Sequence, residues 1–386
     1  MTTEPGPDEP RPRDLSTVLP DGRVVTSLTI GAAPGPVAEV TTLGAAVERL
    51  VVTCGDGIRR NVVLGHAGVA DRLTSGSYLG GTIGRYANRI AGGRFDLDGR
   101  GVRVAAHDRG NSLHGGPDGF DRRVWDVVRH TPGELVLSMV SPDGDQGFPG
   151  TVAVQVRYLV EEEAVHVEMT ATTDAPTVVN LTNHAYFNLD GEGAGAVDGH
   201  LLTVHGESYT PVDDTGIPLG DHEPVAGTPF DLREPRRIGS VVRESHPQLT
   251  AAGGLDHNFV VRGEGLRTCA VLESPATGTR LRLLSDQPGL QVYTGNYLDG
   301  TTRGTSERLY RQGDGVALEP QLFPDSPNRS GWPSPVLRPG ERYAARLAWV
   351  FSRTEPSRAQ RPAQRPASGS ASGSASGAAA GTGSGR

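Results

Sequence analysis

Cysteine is nearly missing from this chain: Cys54 and Cys269 are the two among 386 residues. Both lie in apolar, β-branched surroundings. They read as buried reduced thiols, not as a disulfide framework or a thiolate metal site. Massed positive charge is missing too. The formal net charge is -8 and the arginines are scattered, which counts against nucleic acid or an anionic membrane as a partner. No apolar run is long enough to span a bilayer. The first residues, Met1 to Asp8, contain no apolar signal-peptide core. A cytoplasmic protein is the expectation. Helical periodicity is confined to short stretches, and a fixed-period repeat, the mark of a propeller or solenoid, is not evident. No glycine-rich loop precedes a helix, which disfavours a nucleotide site.

Turn-forming residues are abundant, with Gly 53 and Pro 29. Between them runs strand after strand. Val24 to Ile30 opens the series; Glu134 to Val140, Val152 to Leu159 and Ala164 to Thr170 alternate apolar and polar residues. Period-two alternation bounded by Gly, Pro, Asp and Asn clusters is the strand signature. Pro235 to Val242 reads as a short helix after a turn. The fold class expected is all-β, a large antiparallel β-sandwich, in one domain over 15–353. Residues 1–14 form a Pro- and Glu-rich leader, and 354–386 a Pro/Ala/Ser/Gly-rich tail. Neither can bury enough apolar area to offset its chain entropy, so both are expected to be disordered.

The chemistry gathers in a few segments. Gly315-Val316-Ala317-Leu318-Glu319-Pro320-Gln321 sets a lone carboxylate in an apolar run. Partial burial raises a carboxylate's pKa and makes it a better base; the bland alternative is a structural carboxylate paired with an arginine such as Arg338. Two histidines sit in unusual settings: His114 beside two glycines in Asn111-Ser112-Leu113-His114-Gly115-Gly116, and His184 among polar and aromatic residues in Asn183-His184-Ala185-Tyr186-Phe187-Asn188. One carboxylate and two imidazoles suffice to take a proton from one oxygen and give one to another. In Gly84-Arg85-Tyr86-Ala87-Asn88-Arg89-Ile90, guanidinium and carboxamide groups offer forked donors suited to sugar hydroxyls, or simply mark a strand edge. Asp256, in Leu255-Asp256-His257-Asn258-Phe259, could accept from a hydroxyl or could open a turn. Gln291 and Tyr293 alternate onto one face of a strand. The two histidines are too far apart in sequence for a His-Xaa-His metal motif, so a metal is possible but unprompted.

Taken in order, Gly84 to Ile90, Asn111 to Asp121, Asn180 to Gly191, Leu255 to Phe259, Gln291 to Gly300, Gly315 to Gln321 and Pro339-Gly340 resemble the aldose 1-epimerases, or galactose mutarotases. Any one segment is weak; the ordered series spans nearly the whole core. The resemblance implies a galactose mutarotase-like supersandwich with a sugar groove across one sheet. It implies Glu319 as general base, His184 as general acid and His114 as a second donor to the ring oxygen. Asn88, Arg89, Asp256 and Gln291 fall at substrate-binding positions. It implies interconversion of the anomers of a free hexose, with no cofactor and no metal, by a monomer or weak dimer whose partner is a small aldose. Three other functions stay open: a hexose-6-phosphate 1-epimerase enlisting Arg85, Arg122 and Arg123 for the phosphate, a silent sugar-binding module, and a glycoside hydrolase using Asp256 and Glu319 as its carboxylate pair.

Overall fold

The computed structural model describes residues 16–354. The leader, 1–14, and all of the tail except Thr354 lie outside the described residues. Within them the chain is dominated by strands, and α-helix is confined to Val69–Thr74, Ile238–Val241 and Pro247–Ala252. The short helix expected near 235–242 is the second of these. The other two follow no clear apolar period. Among the described residues no helix is long and apolar enough to cross a membrane.

Two antiparallel sheets form the body. The larger has nine strands, in spatial order Asp126–His130, Glu134–Ser141, Val152–Val160, Ala164–Thr173, Tyr343–Arg353, Thr279–Ser285, Arg267–Ser274, Leu201–Val204 and Arg236–Arg237. The second has six: Tyr186–Phe187, Val316–Gln321, Gly289–Tyr293, Asp256–Val261, Gly206–Tyr209 and Glu223–Pro224. A four-stranded sheet runs from Ser27 to Asn61. The run expected as one strand from Val24 to Ile30 is broken into Val24–Val25 and Ser27–Gly31. The break falls at Thr26, whose N–H is taken by the Thr42 hydroxyl instead of a ladder.

Alternation decides what each strand buries. Along Val152–Val160, Val152, Val154, Val156 and Tyr158 turn to the core while Ala153 and Gln155 face solvent. The six-stranded sheet differs because both of its faces are covered. Leu290, Val292, Val316, Leu318 and Phe259 join the main apolar core with Trp349, Leu347 and Leu283 of the larger sheet. The intervening residues Gln291, Tyr293, Ala317, Glu319 and Asp256 take the opposite face. Register aligns them: Gln291 pairs with Glu319, and Asp256 with Tyr293. A one-residue slip would send Glu319 into the apolar core, so Leu318 and Val316 specify the carboxylate's direction.

Candidate active site

That opposite face floors a cavity of about 540 Å³, lined by Asn88, Arg89, His114, His184, Asp256, Gln291 and Glu319, the residues to which the family resemblance gives site roles. Glu319 and His184 meet at its base. His184 Nε2 lies 3.4 Å from Glu319 Oε1, with Glu319 2% and His184 4% exposed. Burial drives Glu319 well above the ordinary carboxylate range, with the charge of Asp256 pushing the same way and Arg89 opposing. Burial also drives His184 down to about 4. Both shifts favour neutral forms, so the free pair is a carboxylic acid beside an imidazole. Moving that one proton across the contact gives carboxylate and imidazolium, with the same total charge. Among the described residues, Glu319 Oε2, His184 Nδ1 and Gln291 Oε1 are buried with no hydrogen-bond partner in the protein. Buried polar atoms are rarely left so, and these three are available to a ligand.

Helix-free local structure positions His184. Its N–H donates to the Gly81 carbonyl at 2.9 Å, and its own carbonyl accepts from the Gly80 N–H at 3.0 Å. Gly80 has φ +64°, and a Cβ there would fall 2.0 Å from the Val47 carbonyl oxygen, so only glycine fits. The imidazole stacks on Tyr186 at 5.0 Å and on Tyr78 at 5.8 Å, and meets His114 edge-on at 5.3 Å.

His114 is held by a reciprocal clamp with Asn88. The Asn88 N–H donates to His114 Nδ1 and the His114 N–H donates to the Asn88 carbonyl, both at 3.1 Å. Burial, His184 and Arg89 all push its pKa well down. A neutral ring whose Nδ1 accepts must carry its proton on Nε2. His114 is therefore a fixed N–H donor. The donor atoms of His114, His184 and Glu319 come within 4.8 Å of one another, near enough to suggest a metal set. A cation at His114 Nε2 would have to displace that proton, so the trio fits a hydroxylated ligand better.

The remaining walls are polar. Gln291 Nε2 donates to Asp256 Oδ1 at 2.7 Å, which aims the carboxylate. Behind it, the Asp256 N–H donates to Nδ1 of His257. Arg89 is braced by an Nε–H bond to Asp108 Oδ2 at 2.9 Å.

Several sequence expectations fail here. Arg85 takes no part in the cavity: it is buried, and its guanidinium donates to the carbonyls of Ser141, Pro142, Pro149 and Gly150. Arg122 serves the Leu73 and Ser75 carbonyls, and Arg123 the carboxylates of Asp118 and Asp145. None of the three lines the cavity. Arg338 binds Asp98 at the surface, not Glu319. Asp256 is the first residue of the Asp256–Val261 strand and does not open a turn. Tyr78, Asp108, Arg109 and Tyr297 also line the cavity and were not singled out from the sequence. Tyr78, Asp108 and Arg109 adjoin Gly80 and Gly110, and Tyr297 falls in the Gln291 to Gly300 segment, which was the only signal for each.

Fold and site together define a sugar-epimerase type of β-sandwich, with a buried carboxylate–imidazole pair at the floor of a polar groove. The aldose 1-epimerase family model matches residues 26–349. The chain belongs to the aldose 1-epimerase family. It is 39% identical over 344 residues to an Escherichia coli protein named aldose 1-epimerase, covering 88% of this chain and 98% of that one. It is 40% identical over 315 residues to human galactose mutarotase, covering 81% and 90% of the two chains. Among solved structures, an aldose epimerase homologue from C. elegans superposes with TM-score 0.80 at 30% identity, over 86% of this chain and all of that one. A galactose 1-epimerase from Lactobacillus acidophilus gives TM-score 0.78 at 28% identity, over 89% and 99%.

Proposed function

We propose that this protein is an aldose 1-epimerase that interconverts the α and β anomers of free hexoses such as glucose and galactose. The observation that carries the reading is the buried contact of 3.4 Å between His184 Nε2 and Glu319 Oε1. In the carboxylate–imidazolium form, Glu319 takes the proton from the anomeric hydroxyl. The C1 carbonyl forms as the C1–O5 bond breaks, and His184 gives its proton to O5. His114, a fixed N–H donor, supports the ring oxygen. The open aldehyde turns about C1–C2. His184 then recovers the O5 proton as O5 attacks C1, and Glu319 returns its proton to the carbonyl oxygen. Arg89, Asn88, Asp256 and Gln291 hold the other hydroxyls. Nothing is oxidised and no group leaves the sugar, so the chemistry asks for no cofactor. Each positioned proton transfer contributes about 10²–10⁴ in rate.

A free sugar fits better than a sugar phosphate. The cavity wall carries Asp108, Asp256, Asp299 and Glu319 against Arg89 and Arg109, and Arg89 is already paired with Asp108. The reading takes the enzyme to be cytoplasmic and a monomer or weak dimer, on the sequence alone. Polarimetry on freshly dissolved α-D-glucose tests the function directly. The enzyme is expected to hasten the approach to anomeric equilibrium over buffer, and binding without acceleration would reduce it to a sugar-binding module.

A further inference from the structure

We propose that Tyr78 is a positioning residue for the reaction: its ring locks both imidazoles in place, and its face stabilises the imidazolium form of His184. This rests on the mutarotase reading of the same cavity. The Tyr78 ring lies 4.6 Å from His114 at 70° and 5.8 Å from His184 at 23°. It is the one tyrosine in ring contact with both histidines among the described residues; Tyr186 and Tyr293 reach His184 alone. An aromatic face carries negative potential, which favours a cation lying over it.

The backbone shows that this placement is enforced. Tyr78 has φ +57°, a left-handed conformation that a bulky side chain rarely adopts. The loop is held from three directions. The Tyr78 carbonyl accepts from the Gly81 N–H at 3.0 Å. Arg72, ion-paired to buried Glu48, donates to the Leu79 carbonyl. Arg122 donates to the carbonyls of Leu73 and Ser75. The next residues, Gly80 and Gly81, bind the His184 backbone on both sides. Ring and imidazole are thus tied through one short stretch of chain.

Tyr78 brings no proton of its own. Burial, with the charge of Asp121 alongside, pushes its phenol up to about 12. The titratable and charged groups around His184 are Glu319 at 3.4 Å, His114, Tyr186 and Tyr293 in ring contact, and Asp256 and Arg89 in the same cavity. On the far side of Tyr78 lie Asp121 and Arg122. Removing the Tyr78 face therefore removes a cation-stabilising group while every formal charge stays.

The test is steady-state polarimetry across pH on Tyr78→Phe, Tyr78→Leu and a protein with pentafluorophenylalanine at position 78. Phenylalanine keeps the ring and is expected to keep kcat within about twofold. Leucine is expected to lower kcat at least tenfold, with KM changed less than threefold. Pentafluorophenylalanine keeps the shape but reverses the potential of the face. It is expected to fold and bind sugar normally while the acid limb of kcat/KM moves to lower pH, since the imidazolium is less favoured. A pentafluoro protein with an unmoved acid limb overturns the inference, as does a phenylalanine variant as slow as the leucine one. If the wild-type chain itself fails to hasten mutarotation, the functional reading fails first.

Discussion

His184 Nε2 and Glu319 Oε1 stand 3.4 Å apart with both side chains buried. Glu319 lies on Val316–Gln321, and His184 precedes the neighbouring strand Tyr186–Phe187, where Tyr186 pairs with Ala317 two residues before Glu319. That register brings a polar loop end over a carboxylate whose direction is set by the core. Removing either group leaves its partner buried without a proton donor or acceptor. Glu319→Gln and His184→Asn should each lower kcat by about 10³-fold or more, since each removes one positioned proton transfer. Glu319→Gln is near-isosteric and should melt close to wild type, whereas His184→Asn removes a buried stacked ring and should lower Tm by a few degrees with the fold kept. Turnover within tenfold of wild type in either variant would refute the assigned role.

The pH profile follows from the same pair. His184 is lowered to about 4, so below that the pair gains a second proton and no base remains. Glu319 is raised well above its usual range by burial, so the pair keeps its one proton, and with it the acid, well past the pH at which a free carboxylate ionises. Between these limits the pair is singly protonated whichever group holds the proton. The kcat/KM profile for glucose should therefore fall on the acid side near the His184 value, about 4, and level off above it. An acid limb centred near pH 6.5, where an ordinary histidine titrates, would show that burial does not govern His184.

Substrate grip separates from chemistry at Asp108. Its carboxylate holds Arg89 at the cavity wall but does not reach the reacting pair. Asp108→Asn keeps the shape and removes the charge that fixes the guanidinium. KM for glucose should rise about three- to tenfold, the loss of a charge-assisted hydrogen bond, while kcat stays within about twofold. A kcat drop without a KM change would place Asp108 in the chemistry instead.

How much of this could be read from the residues alone varies with the range of the interactions. Glu319 was legible because its direction is local: Val316 and Leu318 must face the core, so alternation leaves the carboxylate on the other side. Asn88, Arg89, His114 and His184 were legible through motif resemblance, but the Asn88–His114 clamp spans 26 residues and leaves no local trace. Arg85 was misread because its motif places two arginines close together and says nothing of which points inward. Its partners, the carbonyls from Ser141 to Gly150, are a distant turn. Tyr78 and Asp108 were missed for the same reason, since each matters only through a partner the fold brings to it.

Charge in the cavity sets a preference among sugars. Three aspartates, Asp108, Asp256 and Asp299, face two arginines there, with Glu319 held neutral by burial, and neither Arg122 nor Arg123 can turn in without leaving the partners it now holds. A phosphate dianion would meet a wall already rich in negative charge, with no free cationic fork to receive it. Mutarotation of glucose 6-phosphate should be at least tenfold less efficient in kcat/KM than that of glucose, and added salt should narrow the gap by screening. Equal efficiencies would return the hexose-6-phosphate reading to first place.

His257 makes the last prediction, about stability. It lies wholly buried beneath Asp256, accepting that residue's N–H on Nδ1 while Nε2 faces Gln248 Oε1 at 3.1 Å. Burial lowers its pKa to about 3. The unfolded chain would titrate this ring near 6.5, so between those values the unfolded state binds a proton that the folded state refuses. Stability from this group is therefore lost as pH falls below about 6.5, and the loss stops near the folded value. At roughly 1.4 kcal/mol per pKa unit the total is on the order of a few kcal/mol. Other groups titrate in the same window with either sign; buried Asp121, raised to about 6, opposes it. The difference between wild type and His257→Gln removes them. The variant, less stable at pH 7 for want of the ring's packing against Phe230 and Tyr209, should lose less of its Tm than wild type on going from pH 7 to pH 4. Parallel Tm curves would mean that His257 gains its proton in the folded protein, on Nδ1, and that the Asp256 N–H gives up that nitrogen to let it.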